Sequence, residues 1–139
     1  FDLRLVQPEK KFYSDGTVKY RRDRRGVEYW YDKKGRLIER DSNGVSDEND
    51  IKYKYDEDDN IIYKEKKDYW EESKYNSSGL VVYFKNSEGE EWEREYNSRG
   101  EVVHYKEKDG IEKWNIEEGS LVKRDGRYYL DGVLCVEKE

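Results

Sequence analysis

The chain has 139 residues, 45% of them charged and 33% apolar, with a formal net charge of −6. So small an apolar share excludes a thick two-layer core, and the charged fraction stands well above the roughly 25% of an ordinary globular domain. Disorder is disfavoured in turn, because 14 Tyr, 4 Trp and 3 Phe accompany 11 Val and 6 Ile, residue types that suit a pleated, half-buried surface.

Residues 1–12 read as a lead-in strand, with the single proline, Pro8, close to it. From Tyr13 an internal repeat begins. Tyr13 opens YSDGTVKYRRDRRGVEYW, Tyr31 opens YDKKGRLIERDSNG, Tyr55 opens YDEDDNIIYKEKKDYWEESK, Tyr75 opens YNSSGLVVYFKNSEGEEWERE and Tyr96 opens YNSRGEVVHYKEKDGIEKWNIE. The unit is about twenty residues long, lengthened once by the acidic insertion VSDEND after Gly44. A fixed period of this kind sets the whole fold class.

Two turn signals punctuate each unit. The first is Tyr-Asp/Asn-x-x-Gly, with Gly35, Gly79 and Gly100 four residues after the tyrosine; in the Tyr55 unit Asn60 is expected to take the left-handed position. The second lies about ten residues on, at Arg25-Gly26, Asn43-Gly44, Glu88-Gly89 and Asp109-Gly110. Turns so spaced predict consecutive antiparallel strands joined as hairpins. Period-two alternation sets Trp92, Arg94 and Tyr96 against Glu91, Glu93 and Glu95, and Ile51, Tyr53 and Tyr55 against Lys52 and Lys54. The pairs Ile61-Ile62, Val81-Val82 and Val102-Val103 put apolar side chains on both faces of the intervening strands. Beyond Gly119 the tyrosine register is lost, and residues 120–139 read as a capping hairpin turning at Asp125-Gly126, with a further turn at Asp131-Gly132.

The expectation is an all-β antiparallel meander of roughly ten to twelve strands. It has a lead-in at 1–12, five hairpin repeats over 13–119 and a cap at 120–139, and its sheet is either a single layer or curled on itself. Absence of alanine and of any sustained 3.6-residue period argues against helix. The pattern Y-[DN]-x-x-G-x-[VLI]-[VI] over roughly residues 13–118 resembles the YD repeats of the RHS family. It is also similar to short lysine- and glutamate-rich hairpin repeats of bacterial and phage proteins. The resemblance implies spiralling β-sheets and a scaffold role.

No catalytic constellation emerges, so the chain is not expected to be an enzyme. His104, the single histidine, occupies a strand position where Tyr63 and Tyr83 stand in sister units, and reads as a ladder residue. Cys135, the single cysteine, reads as a packed thiol in a strand. The acidic runs at 41–50 and 56–59 lack EF-hand order and read as solvated turns, so no metal is expected. No glycine-rich phosphate loop suggests a cofactor, and no apolar run approaches the roughly twenty residues of a membrane-crossing helix.

Binding is the better expectation. Trp30, Trp70, Trp92 and Trp114 fall once in most units, accompanied by tyrosines including Tyr53 and Tyr96. The series reads first as a sheet face replacing a core, and second as a surface for a protein or glycan partner. Arg21, Arg22, Arg24 and Arg25 form a basic stretch suited to an anion or acidic partner, in a region where residues 1–40 carry 12 Lys/Arg against 7 Asp/Glu. Residues 41–139 carry 16 against 27, which makes direct nucleic-acid binding a poor expectation. A protein partner leads. Glycan binding at a cell or phage surface comes second, and imitation of nucleic acid by the acidic portion, to inhibit a nuclease, is the third reading.

Overall fold

The computed structural model describes residues 6–44 and 47–136. Parts of the lead-in segment, the insertion and the closing segment (residues 1–5, 45–46 and 137–139) lie outside the described residues. Among those described are fourteen β-strands and one short 3₁₀ turn at Asp47–Asn49. The chain divides into two units, residues 1–70 and 71–139.

In the first unit β1 (Glu9–Phe12), β2 (Val18–Arg22), β3 (Glu28–Tyr31), β4 (Leu37–Asp41), β5 (Ile51–Tyr55) and β6 (Ile61–Lys66) follow one another. Each of the pairings from β1·β2 to β5·β6 is antiparallel. The second unit continues from β7 (Tyr69–Tyr75), which begins at the boundary, through β8 (Val81–Asn86), β9 (Glu91–Tyr96), β10 (Val102–Glu107) and β11 (Glu112–Ile116). It ends with β12 (Gly119–Arg124), β13 (Arg127–Leu130) and β14 (Val133–Leu134), paired antiparallel in the same chain order. The fold is an all-β antiparallel hairpin meander. Strands exceed the ten to twelve expected because the closing segment alone supplies β12, β13 and β14, its last two turns being tight enough for two-residue loops. Asp125-Gly126 and Asp131-Gly132 both have positive φ at the two central positions, which matches the twist of the flanking strands.

The repeated turn has one hydrogen-bond plan. In the turn after β3, Gly35 N–H donates to the Asp32 carbonyl and Asp32 N–H to the Arg36 carbonyl, at 3.0 and 2.9 Å. The Asp32 carboxylate then accepts the amides of Lys34 and Arg36, both at 3.0 Å. The same pair of side-chain bonds recurs at Asp23, Asp56, Asn76, Asn86 and Asn97. A short oxygen-bearing side chain thus satisfies two donors that the turn would otherwise leave open. In the Tyr55 unit the left-handed residue is Asp59, at φ 67°, and not Asn60. Asp59 stands at the offset that Gly35 occupies after Asp32, and aspartate is among the few residues that tolerate this region.

Beyond the turns that open the tyrosine repeats the second strand carries one extra residue, so the register shifts, whereas the strands joined at Asp23 and at Asn86 pair without a skip. Lys19, Ile38, Ile62, Val82 and Val103 are the residues skipped in the pairing. The doubled aliphatics therefore have a local cause. One member of each pair falls at a bulge, which also raises strand twist. The motif tyrosines tie one hairpin to the next, since Tyr55 Oη donates to the Leu37 carbonyl at 2.7 Å and Tyr96 Oη to the Val81 carbonyl at 2.6 Å.

Burial is slight. Tyr20, Val27 and Ile51 are the apolar residues buried among those described, joined by Ser42 and Asn86. Ser42 sits against Asp50, the last residue of the insertion. Asp50 accepts from Ser42 N–H at 2.7 Å, from Ser42 Oγ at 3.0 Å and from the Arg40 guanidinium at 3.0 Å. Cys135 is exposed beyond β14, contrary to the packed thiol expected; β14 pairs with β13, and its other edge carries no strand among the described residues.

Candidate binding face

Strand register decides which side chains share a face, and it splits the aromatic series. In the second unit Arg94 stands across from Tyr105, and Tyr105 across from Lys113, while Trp114 stands across from His104 on the opposite face. Trp92 and Arg94 are two apart on β9, so Trp92 and Trp114 point away from each other. Trp92 stacks on Phe84 at 5.4 Å between centroids, and the Arg94 guanidinium covers it at 4.0 Å. On the other face Trp114 stacks on His104 at 5.2 Å, with Tyr128 at 6.3 Å.

In the first unit Trp30 shares a face with Tyr20, at 5.4 Å, and with Lys11. Tyr29 lies on the reverse, with the Arg21 guanidinium at 4.0 Å and Arg40 at 5.9 Å from its ring. Tyr53 packs on Tyr55 at 6.0 Å, and Arg36 covers Tyr55 at 4.4 Å. Trp70 follows Tyr69, the first residue of β7. Tyr96 is committed to the Val81 carbonyl. The rings are thus brought together in covered pairs on both faces. The parity of spacing carried this signal: Trp92 precedes Tyr96 by four residues, whereas Trp30 precedes Tyr31 by one.

One recurrent polar contact escaped the sequence reading, a side-chain bond from a strand tyrosine to a glutamate eight residues on. Tyr20 Oη donates to Glu28 at 2.5 Å and Tyr83 Oη to Glu91 at 2.8 Å. His104 replaces the tyrosine in a third copy, its Nε2 3.0 Å from Glu112 and its Nδ1 3.5 Å from Glu95. The bond to His104 holds the Glu112 carboxyl below the ordinary range. The bond to Glu91 pushes the Tyr83 phenol up to about 12, with desolvation and the glutamate charge adding to it. Because the folded phenol titrates above its unfolded counterpart, its contribution is full below pH ~10 and lost as pH rises through ~12. An ultraviolet titration of the folded protein should show Tyr83 among the last phenols to ionise, and Glu91→Gln should move it back toward ~10.

The four arginines of the basic stretch separate. Arg22 faces the same side as Trp30, donates to the Gln7 carbonyl at 3.0 and 2.9 Å and lies 3.5 Å from Glu9. Arg25 reaches Asp23 at 3.3 Å. Arg24 is exposed at the turn. Arg21 lies on the opposite face, directly across from Lys10 on one side and Tyr29 on the other, and Tyr29 is in turn across from Arg40. This rung places like charges in register, an arrangement that disfavours strand pairing. On the reverse face the charges alternate: Lys52 lies 3.5 Å from Glu39 and 3.8 Å from Glu65. Arg40 has its counter-ion in Asp50, but among the described residues no carboxylate pairs with Lys10, Arg21 or Arg24.

No protein-family model matches the chain, and no curated protein matches it.

Proposed function

We propose that the protein is a non-enzymatic repeat scaffold that recognises a protein partner through exposed charge on its sheet faces. The observation that carries this reading is the covering of the rings. A sugar or a base stacks on a free aromatic face, yet Trp92 lies between Phe84 and Arg94, Trp114 against His104 and Tyr29 under Arg21. These contacts hold a thin sheet together. The charged side chains between them are what a partner meets. The YD-like repeat supports the same role, a rigid ribbon presenting a surface.

Parallel binding screens on a glycan array and a peptide array test the proposal. Binding confined to peptides, and weakened when salt rises from about 50 to about 500 mM, is the expected outcome. Sugar hits that Trp92→Ala or Trp114→Ala abolishes, with the circular dichroism of the sheet retained, would replace it with glycan recognition.

A further inference from the structure

A shallow hollow of about 380 Å³ opens on the first unit where Pro8, Lys10, Arg21 and Arg24 meet. Two carboxylates also border it, but each is committed elsewhere. Glu9 reaches Arg22, and Asp23 accepts the amides of Arg25 and Val27 at 2.9 and 3.1 Å. Among the described residues no carboxylate is therefore left for Lys10, Arg21 or Arg24, and Arg21 has the phenols of Tyr31 and Tyr29 beside it. Lys10 and Arg21 are direct cross-strand partners, a pairing that costs stability and that a bound anion would turn to advantage. Arg21 is also held, its guanidinium resting on Tyr29 at 4.0 Å. A pre-positioned guanidinium loses less freedom when it pairs with a carboxylate.

Resting on the scaffold reading above, we infer that this hollow is the docking site for an extended acidic segment of a partner protein. Lys10 and Arg21 would take carboxylates of the segment, and Arg24 would extend the contact past the turn. Alternate side chains of an extended strand lie about 7 Å apart, a spacing that flexible cations on neighbouring strands about 5 Å apart can serve. A nucleic-acid strand fits less well. The ring that would stack a base is already covered, and residues 41–139 carry 16 basic against 27 acidic side chains, which repel a polyanion. A second copy of this chain fits less well too, because the second-unit strand carboxylates Glu72 and Glu93 already stand across from Lys85 and Lys106.

Fluorescence anisotropy with a labelled ten-residue peptide of alternating Glu and Ser, its Lys/Ser counterpart and an oligothymidylate of equal length tests the site. The acidic peptide should bind and the other two should not. The double variant Lys10→Glu/Arg21→Glu should weaken binding by about tenfold or more. Lys33→Glu/Lys108→Glu, with the same change in net charge on exposed turns, should weaken it by less than about threefold. Circular dichroism establishes that both variants fold, and Arg21→Gln gives a milder second test if the double reversal does not. Equal loss in the two double variants would overturn the site and reduce it to net charge. Tighter binding of the oligothymidylate, or self-association in sedimentation that Lys10→Glu/Arg21→Glu abolishes, would overturn the choice of partner. Acidic-peptide binding indifferent to Lys10 and Arg21 would sink the site alone and leave the scaffold reading standing.

Discussion

Asp50→Ala should destabilise the first unit by about 2–4 kcal/mol, more than any other single carboxylate replacement in the chain. The carboxylate accepts both the amide and the hydroxyl of Ser42, which is fully buried, and it neutralises Arg40, whose side chain is 13% exposed. Truncation leaves two buried donors facing nothing and removes a close counter-ion. Asp50→Asn keeps an acceptor but not the charge, and should cost roughly half as much. Urea unfolding monitored by tryptophan fluorescence measures both. A shift below about 0.5 kcal/mol for Asp50→Ala would show that these Asp50 bonds do not brace this unit.

Acid should loosen the turns of the first unit before those of the second. The turn-capping residue is Asp23, Asp32 and Asp56 in the first unit, but Asn76, Asn86 and Asn97 in the second. Desolvation pushes each of these aspartates up, yet the amide bonds it accepts outweigh that and hold it below the ordinary value, with a neighbouring Arg or Asn side chain adding to the effect. A folded-state pKa below the unfolded one gives stability that is present above pH ~4 and lost as pH falls through the folded value. The carboxamides do not titrate. Hydrogen-exchange protection factors at pH ~6 and ~2 should therefore drop about tenfold or more at the amides of Lys34, Arg36, Asp58 and Asn60. Those of Ser78, Leu80, Arg99 and Glu101 should change far less. Equal losses in the two sets would mean that the turns are not held by these side chains.

Much of the architecture was legible in the sequence because turn chemistry is local. Glycine at a fixed offset from Asp or Asn, with tyrosine just before, marks a hairpin without reference to anything distant. Alternation likewise places Ile51, Tyr53 and Tyr55 together, and their half-buried or buried state agrees with that. The left-handed residue of the Tyr55 unit is hidden because no glycine marks the offset and Asn60 is the better-known left-handed type, yet the backbone gives the position to Asp59. The bulges were invisible for a different reason. A doubled aliphatic such as Val81-Val82 reads as apolar on both faces, and only the partner strand reveals the residue skipped in the register. The binding face depends on such long-range facts. That Arg21 lacks a carboxylate while Arg22 has one follows from which strand lies opposite, and neighbouring arginines in a basic run look alike.

Register sends the rings to opposite faces in covered pairs and leaves charge exposed between them. Nuclear Overhauser contacts among aromatic side chains test it most directly. Cross-peaks of Trp92 with Phe84 and of Trp114 with His104 are expected, and none between Trp92 and Trp114. Cross-peaks between the two tryptophans, with those to Phe84 and His104 missing, would contradict it.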